Sequence, residues 1–130
     1  QEWQRPEDQH DATIVIRATY GQKRFLFTGD LHEDHEQAIL NTRPAEELKS
    51  DILKVPHHGS ATGLLPDFLA AVHPSYAVIE VGAKNKFGHP APSTLAKFQA
   101  ANIQTFRTDQ NGTIHAETDG TSLIVTPERK

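Results

Sequence analysis

The sequence predicts an α/β fold in which a mixed sheet is flanked by helices. Short runs of β-branched and aromatic residues alternate with helix-like segments through the middle of the chain, an order that favours a layered sheet. A hairpin signal at 20–23 (YGQK) precedes this alternation and adds an antiparallel pair of strands. With 130 residues and no internal repeat or linker, residues 1–130 are predicted to form a single domain.

The strands are predicted from short apolar runs bounded by turn residues. Residues 1–10 are polar and without periodicity, so we interpret them as a lead-in segment. Two glycine-containing pairs, Asn111-Gly112 and Asp119-Gly120, are typical of two-residue hairpins between the last three strands. In chain order the predicted strands are 12–19, 24–28, 51–55, 76–81, 103–107, 113–117 and 122–126.

Three helices are predicted from their start and stop signals. The first spans 33–41 and has Pro44 beyond its end. The second spans 66–72 and begins at a proline, which is favoured at the first helical position. The third takes Ser93 as its N-cap and runs to about residue 101.

The composition excludes several kinds of site. The chain has no cysteine, which removes disulfides, thiolate zinc sites and cysteine nucleophiles. A net charge of −4 argues against a surface that binds nucleic acid through its overall positive charge, yet it permits a metal site that acts on phosphodiesters. No apolar run approaches the roughly 20 residues of a membrane span. The sequence starts with Gln and contains no methionine, so we expect a processed or excised piece of a longer protein.

Three polar clusters lie just beyond the ends of predicted strands. They are Thr28-Gly29-Asp30, the run 56–60 (PHHGS) and the run 85–90 (NKFGHP). In open α/β sheets, sites form outside the carboxyl ends of the strands, so one carboxylate and three imidazoles are expected at the same edge. Imidazole nitrogens and carboxylate oxygens are suitable ligands for zinc, manganese or iron. The sequence therefore predicts a metal-dependent site at this edge.

Each cluster also has an ordinary structural interpretation when it is taken alone. Asp30 is a turn or cap residue, the His57-His58 pair is a loop pair satisfied by the backbone, and His89 is a turn histidine. Only their coincidence at equivalent strand ends favours function. The remaining histidines are interpreted as structural or exposed: His10, His73 and His115.

A second histidine-rich run follows Asp30 and needs separate treatment. Residues 30–35 (DLHEDH) differ only in the first residue from H-x-H-x-D-H, a metal motif of the metallo-β-lactamase superfamily. That motif normally continues into a glycine-containing turn, whereas this run continues directly into a predicted helix. We therefore interpret His32, Asp34 and His35 as the solvated face of that helix, and whether they bind metal stays open.

The clusters together carry a family resemblance. The runs FLFTGDLHEDHEQAIL, LKSDILKVPHHGSATG, PSYAVIEVGAKNKFGHP and FRTDQNGTI occur in this order within residues 10–126. This set resembles the metallo-β-lactamase-like domain of ComEC-type competence proteins, which are DNA-internalisation proteins with membrane channels. The run 10–13 (HDAT) stands where the family usually has Asn-Asp-x-Ser, so position 10 departs from that pattern.

The resemblance implies a larger architecture than this chain contains. It makes the chain the C-terminal half of a metallo-β-lactamase-type αββα sandwich. The expected partners are the missing N-terminal half-domain, which supplies most ligands in the family, and the membrane channel of the parent protein. The resemblance also places the domain on the extracytoplasmic face of a bacterial inner membrane.

The same resemblance assigns roles to residues of the three clusters. Asp30 corresponds to the bridging metal aspartate and His89 to a late histidine ligand. His57 and His58 would be catalytic, and whether one of them also binds metal stays open. The implied substrate-binding residues are Gly59, Ser60, Asn85 and Lys86.

The implied reaction is metal-assisted hydrolysis of a phosphodiester in nucleic acid. The cofactor would be zinc or manganese, with two ions in the complete domain, activating a water and steadying the attacking and leaving oxygens. One histidine of the pair would contact the phosphate or protonate the leaving oxygen. Two alternatives stay open: a stand-alone hydrolase of small esters or lactones, and a non-catalytic structural or DNA-guiding half-domain of an uptake protein.

Overall fold

The computed structural model describes residues 13–130, so the predicted lead-in segment and His10 lie outside the described residues. The strands are β1 Ile16–Tyr20, β2 Lys23–Phe27, β3 Ile52–Lys54, β4 Tyr76–Ile79, β5 Gln104–Arg107, β6 Ile114–Thr118 and β7 Leu123–Pro127. The helices are α1 Glu33–Thr42, α2 Ala45–Leu48, α3 Pro66–Val72, α4 Pro92–Ala100 and α5 Thr108–Asn111, together with a short helical turn at Pro56–Gly59.

Five strands form one mixed sheet in the order β1-β2-β3-β4-β5. β1 pairs antiparallel with β2, with Ile16 opposite Phe27, whereas β2, β3, β4 and β5 are mutually parallel. The hairpin predicted at 20–23 is confirmed, since only Gly21 and Gln22 separate the first two strands. The predicted α/β class with a mixed sheet and flanking helices is confirmed.

One face of the sheet is buried against the helices. Leu26, Leu53 and Ala77 are in register on three neighbouring strands, and each is at most 2% exposed. They belong to one apolar cluster with Phe68 of α3 and Phe98 of α4. Deleting a buried side chain of this size typically costs several kcal/mol, so this packing fixes the strand ends that carry the polar clusters.

Two predictions about local structure are wrong. Ser93 is not an N-cap, because α4 begins at Pro92 with Ala91 before it, and proline is well suited to the first helical position. Asn111-Gly112 does not join a hairpin, because β5 pairs in parallel with β4 and α5 follows it directly. The Asn111 side chain instead accepts from the Arg107 backbone N–H at 2.9 Å and closes that short helix.

The last two strands form a separate antiparallel pair. The hairpin predicted at Asp119-Gly120 is confirmed, although its loop has four residues because Asp119 Oδ1 accepts from the backbone N–H groups of Thr121 and Ser122. The loop contacts the first hairpin, where Gln22 donates its backbone N–H to the Gly120 carbonyl at 2.7 Å. This contact joins the terminal hairpin to the main sheet.

The helix α2 was not predicted, and its four residues carry no capping side chain that would have marked it. Within the part of the chain that the structure describes, every helix is too short or too polar to cross a membrane.

Candidate active site at the carboxyl edge of the sheet

The structure brings the three polar clusters together at one edge of the sheet. The backbone N–H of His57 donates to the Gly29 carbonyl at 3.0 Å, which joins the second cluster to the first. The backbone N–H of Ala91 donates to the Gly59 carbonyl at 2.9 Å, which joins the third cluster to the second. The parallel register of β2, β3 and β4 is the reason, because it ends all three strands on the same side.

The His57-His58 pair lies on a tight left-handed turn. His57, His58 and Gly59 have φ values of 49°, 55° and 81°, and Ser60 closes the turn by donating its N–H to the His57 carbonyl at 2.9 Å. A non-glycine residue in this region costs roughly 1–2 kcal/mol. Strain of this kind concentrates at functional sites, where the surrounding structure maintains it.

Asp30 is held in place by its own backbone and by a buried neighbour. Its N–H donates to Thr13 Oγ1 at 2.9 Å, and Thr28, fully buried two residues earlier, donates its hydroxyl to the Lys54 carbonyl at 2.6 Å. The Asp30 side chain itself is 47% exposed, and its Oδ1 lies 3.9 Å from Nε2 of His58. The backbone of Asp30 is therefore held in place, and its carboxylate is open to a ligand.

His58 has a defined tautomer when its ring is neutral. Its Nδ1 lies 2.6 Å from the Glu80 carbonyl oxygen, and because a carbonyl can only accept, Nδ1 is the donor. Nε2 then carries the lone pair, and this lone pair lies on the side of Asp30. A carboxylate oxygen and an imidazole lone pair that face each other in this way are a pair of donor atoms for a proton, a metal cation or a bridging water.

This tautomer can be tested directly. Long-range ¹H–¹⁵N correlation spectra at high pH should show His58 in the Nδ1–H form. His115 is the matched control, because its Nε2 lies 3.5 Å from Glu117 Oε2 and should carry the proton. A His58 ring found mainly in the Nε2–H form would contradict the assignment.

The other histidine rings of the edge surround His57. The ring of His57 stacks on His32 with centroids 5.1 Å apart and lies 5.8 Å from the ring of His89 and 6.2 Å from that of His58. Phe87 in turn stacks on His89 at 5.7 Å. Within residues 13–130, the edge thus carries four imidazoles and one carboxylate.

The prediction for the run after Asp30 is partly wrong. His32 is half-buried and stacks on His57, so it lies at the site and not on a solvated helix face. Asp34 is 78% exposed, as predicted. His35 is half-buried and its Nδ1 lies 3.4 Å from Asp34 Oδ1. The sequence signal that could have placed His32 at the site is its position, two residues after Asp30 and immediately before α1.

The remaining histidines that the structure describes have the surroundings predicted for them. His73 is exposed at the C-cap of α3. His115 is 69% exposed on β6.

The residues predicted to bind substrate differ in accessibility. Gly59 and Ser60 are buried, and the Ser60 hydroxyl lies 2.9 Å from that of Thr62. Asn85 uses its side chain within its own loop, donating to the carbonyls of Gly82 and His89. Lys86 is exposed. Their predicted role in binding stays a prediction, with Lys86 the most accessible of the four.

The donor types of this edge suit a divalent cation, since they are imidazole nitrogens and a carboxylate. Among residues 13–130, however, no group of three or more histidine, aspartate or glutamate side chains is arranged to hold a metal ion. The described residues therefore include donor atoms of the right type for a metal ion, but fewer than three of them converge on one point. They make at most part of a metal site.

Comparisons with known proteins give three informative relatives, while no protein-family model matches the chain. The chain is 36% identical over 109 residues to ComE operon protein 3 of Bacillus subtilis (strain 168), covering 84% of the chain and 14% of that protein. It is 34% identical over 107 residues to Competence protein ComA of Neisseria gonorrhoeae, covering 82% of the chain and 15% of that protein. It is 31% identical over 93 residues to Recombination protein 2 of Haemophilus influenzae (strain ATCC 51907 / DSM 11121 / KW20 / Rd), covering 72% of the chain and 11% of that protein. The chain thus spans about one-seventh of the length of the first two relatives, 14% and 15%.

Proposed function

We propose, from the premise that this chain is related to one segment of the competence proteins, that it forms one wall of a metal-dependent hydrolase site acting on nucleic acid during DNA uptake. The observation that carries the proposal is the pairing of Asp30 with His58. A carboxylate oxygen and an imidazole lone pair face each other across 3.9 Å at an exposed edge. Such a pair favours a cation between its members.

Asp30 and His89 are proposed to hold the metal, with His58 as a further ligand because its Nε2 faces Asp30 across 3.9 Å. His57, whose ring lies beside those of His58 and His89, is proposed to move a proton or contact the phosphate, since an imidazole nitrogen can accept or donate a proton. A bound zinc or manganese would supply an activated water. The Glu80 carbonyl keeps the His58 ring oriented throughout.

The fold proposal is that this chain is half of a metallo-β-lactamase-type sandwich. Its support is the sheet face opposite the helices, where Phe25, Phe27 and Val78 line an open groove of about 620 Å³ beside β6. Phe27 is 46% exposed there. We propose that a second sheet of the complete competence protein covers this face and supplies the further ligands that a two-ion site requires.

A metal titration tests the proposed site. We expect this chain to bind Zn²⁺ or Mn²⁺ weakly in calorimetry, with at most one ion per chain, and to cleave an oligonucleotide poorly on its own. Mn²⁺ should broaden the NMR signals of His58 and His89 before others. Asp30→Asn should weaken binding on the order of tenfold or more because it removes the charged ligand.

The control is His115→Gln, which alters an exposed histidine on β6 and should leave binding unchanged. Tight binding of two ions by this chain alone would contradict the one-wall proposal. Binding that is insensitive to Asp30→Asn would show that the metal lies elsewhere.

A second candidate function is a non-catalytic, DNA-guiding role at the extracytoplasmic face of a bacterial inner membrane, next to the channel of the complete protein. The observation that favours it is the shortage of converging ligands in the described part of the chain. An experiment on a complete competence protein, with the substitution equivalent to Asp30→Asn, distinguishes the two functions. Loss of metal-dependent cleavage supports the hydrolase, and unchanged DNA uptake with no cleavage in either form supports the guiding role.

A further inference from the structure

We propose that Phe87 is a base-stacking residue that makes this edge specific for unpaired nucleotides, so that the substrate class is single-stranded nucleic acid. The inference rests on the proposed function in one respect, since it takes the Asp30–His58 edge as the place where a phosphodiester lies. Phe87 is 81% exposed, more than the other large apolar side chains that are exposed among the described residues.

The loop that presents Phe87 has a defined shape. Asn85 Oδ1 accepts from the backbone N–H groups of Phe87 and His89, at 3.3 and 3.0 Å. Its Nδ2 donates to the His89 carbonyl at 2.9 Å and to the Gly82 carbonyl at 3.1 Å. One side chain therefore organises the whole loop, and Asn85 is a positioning residue for the exposed ring.

The ring of Phe87 is directed along the site. It stacks on His89 with an interplanar angle of 20° and a centroid distance of 5.7 Å. His89 lies against His57, which lies beside the His58 ring that faces Asp30. One face of Phe87 is thus used by the site, and its large exposed area leaves the other face accessible to a planar ligand.

The charge around Phe87 selects the class of that ligand. Residues 81–92 contain two lysines, Lys84 and Lys86, and no acidic residue, in a chain whose net charge is −4. Both lysines are exposed. An exposed aromatic face on a loop that also carries two cations is suited to a base and its neighbouring phosphates. Isolated exposed apolar residues are common, but this one combines a fixed loop, two lysines in the same loop and contact with the site.

Stacking requires a base that is not already paired and stacked in a duplex. Base–aromatic stacking tolerates any sequence, because every base has a π-face. The proposal therefore predicts a preference for single strands without a preference for particular bases.

Fluorescence anisotropy with labelled oligo(dT) of 12 nucleotides tests the proposal, in buffer with EDTA so that no cleavage occurs. Phe87→Ala should weaken binding about tenfold, within the range known for loss of one stacked base. Phe87→Trp should restore binding, because it restores the aromatic face. The same-length duplex should bind more weakly than the single strand.

An abasic oligomer of the same length separates stacking from charge. It keeps the phosphates and lacks bases, so the unmodified chain and Phe87→Ala should bind it equally. Lys86→Ala should weaken binding of both oligomers and reduce the salt dependence, by about 0.7 in slope for one lost phosphate contact. Ile124→Ala, another exposed apolar residue on β7, is the matched control and should change nothing.

Equal affinity of Phe87→Ala and the unmodified chain for oligo(dT) would overturn the proposal, as would tighter binding of the duplex. Failure of the metal site is distinguishable from these outcomes, because the anisotropy measurement needs no metal. If the chain binds no metal and Phe87→Ala still weakens oligo(dT) binding, the stacking proposal holds and only the hydrolase proposal fails.

Discussion

Replacing Gly59 with alanine is expected to destabilise the chain by about 3 kcal/mol, a fall in Tm of roughly 10 °C for a domain of this size. Gly59 has a φ of 81°, and a Cβ there would lie 2.6 Å from Cβ of Pro90. The first feature costs roughly 1–2 kcal/mol for an L-residue, and the overpacking adds roughly 1–3 kcal/mol. Thermal or urea unfolding measures the sum.

Two other glycines separate these contributions. Gly88 has a φ of 70° with nothing within 4 Å of the added Cβ, so Gly88→Ala should cost only the backbone strain. Gly82 has neither feature, so Gly82→Ala should be nearly neutral. If Gly59→Ala lowers the free energy of unfolding no more than Gly88→Ala does, Pro90 moves aside freely and the tight contact adds no cost in free energy.

Gly59→Ala should also affect the candidate active site. Gly59 accepts the hydrogen bond from Ala91 that joins the second cluster to the third. A shift of Pro90 therefore moves the loop of His89 relative to His58. We expect Gly59→Ala to weaken metal binding as well as stability, whereas Gly88→Ala leaves the contact between Gly59 and Ala91 intact.

Glu36 is expected to make the stability of the chain fall as pH rises from about 4.5 to about 7. This carboxyl is fully buried in α1, and burial raises its pKa from 4.5 to about 7, although backbone N–H groups of Leu65 and Leu64 lower it in part. The folded state holds the proton of Glu36 more tightly than the unfolded state does. The stability that Glu36 contributes is therefore fully present below pH 4.5 and is lost as the pH rises through about 7. The loss is on the order of 3 kcal/mol.

The test compares urea unfolding of the unmodified chain and Glu36→Gln from pH 4.5 to 8.5. The glutamine is neutral throughout, so the free energy of unfolding of the variant relative to the unmodified chain should rise with pH across this window. Glu46→Gln is the control, since Glu46 is exposed, and its difference should stay flat. A flat difference for Glu36→Gln would mean that the folded state keeps this carboxyl ionised.

Glu36 also links the fold to the site. Its carboxylate accepts from the backbone N–H groups of Leu64 and Leu65 at 2.8–3.3 Å, just before α3 begins. It lies one turn after His32, the residue before α1 that stacks on His57. A buried acid thus connects the two helices beside the histidine edge, a connection that the sequence did not reveal because a lone glutamate in a helix is usually exposed.

The sequence determined most of the fold because its signals are local. The parallel strands follow from short apolar runs between helices, and Pro66 marks the start of α3 correctly. The convergence of Asp30, His58 and His89 at one edge also followed, since parallel strands place their carboxyl ends together. Where two local signals competed, as with Pro92 and Ser93, the sequence could not rank them without the packed neighbours.

Only the tertiary structure decided which side chains meet. It paired Asp30 with His58 through a ring oriented by the Glu80 carbonyl, and it brought His32 to the site. It also exposed Phe87 on a loop organised by Asn85. These relations join residues far apart in the chain or depend on left-handed backbone at His57 and His58, and such strain is maintained by packing, which no local pattern of residues encodes.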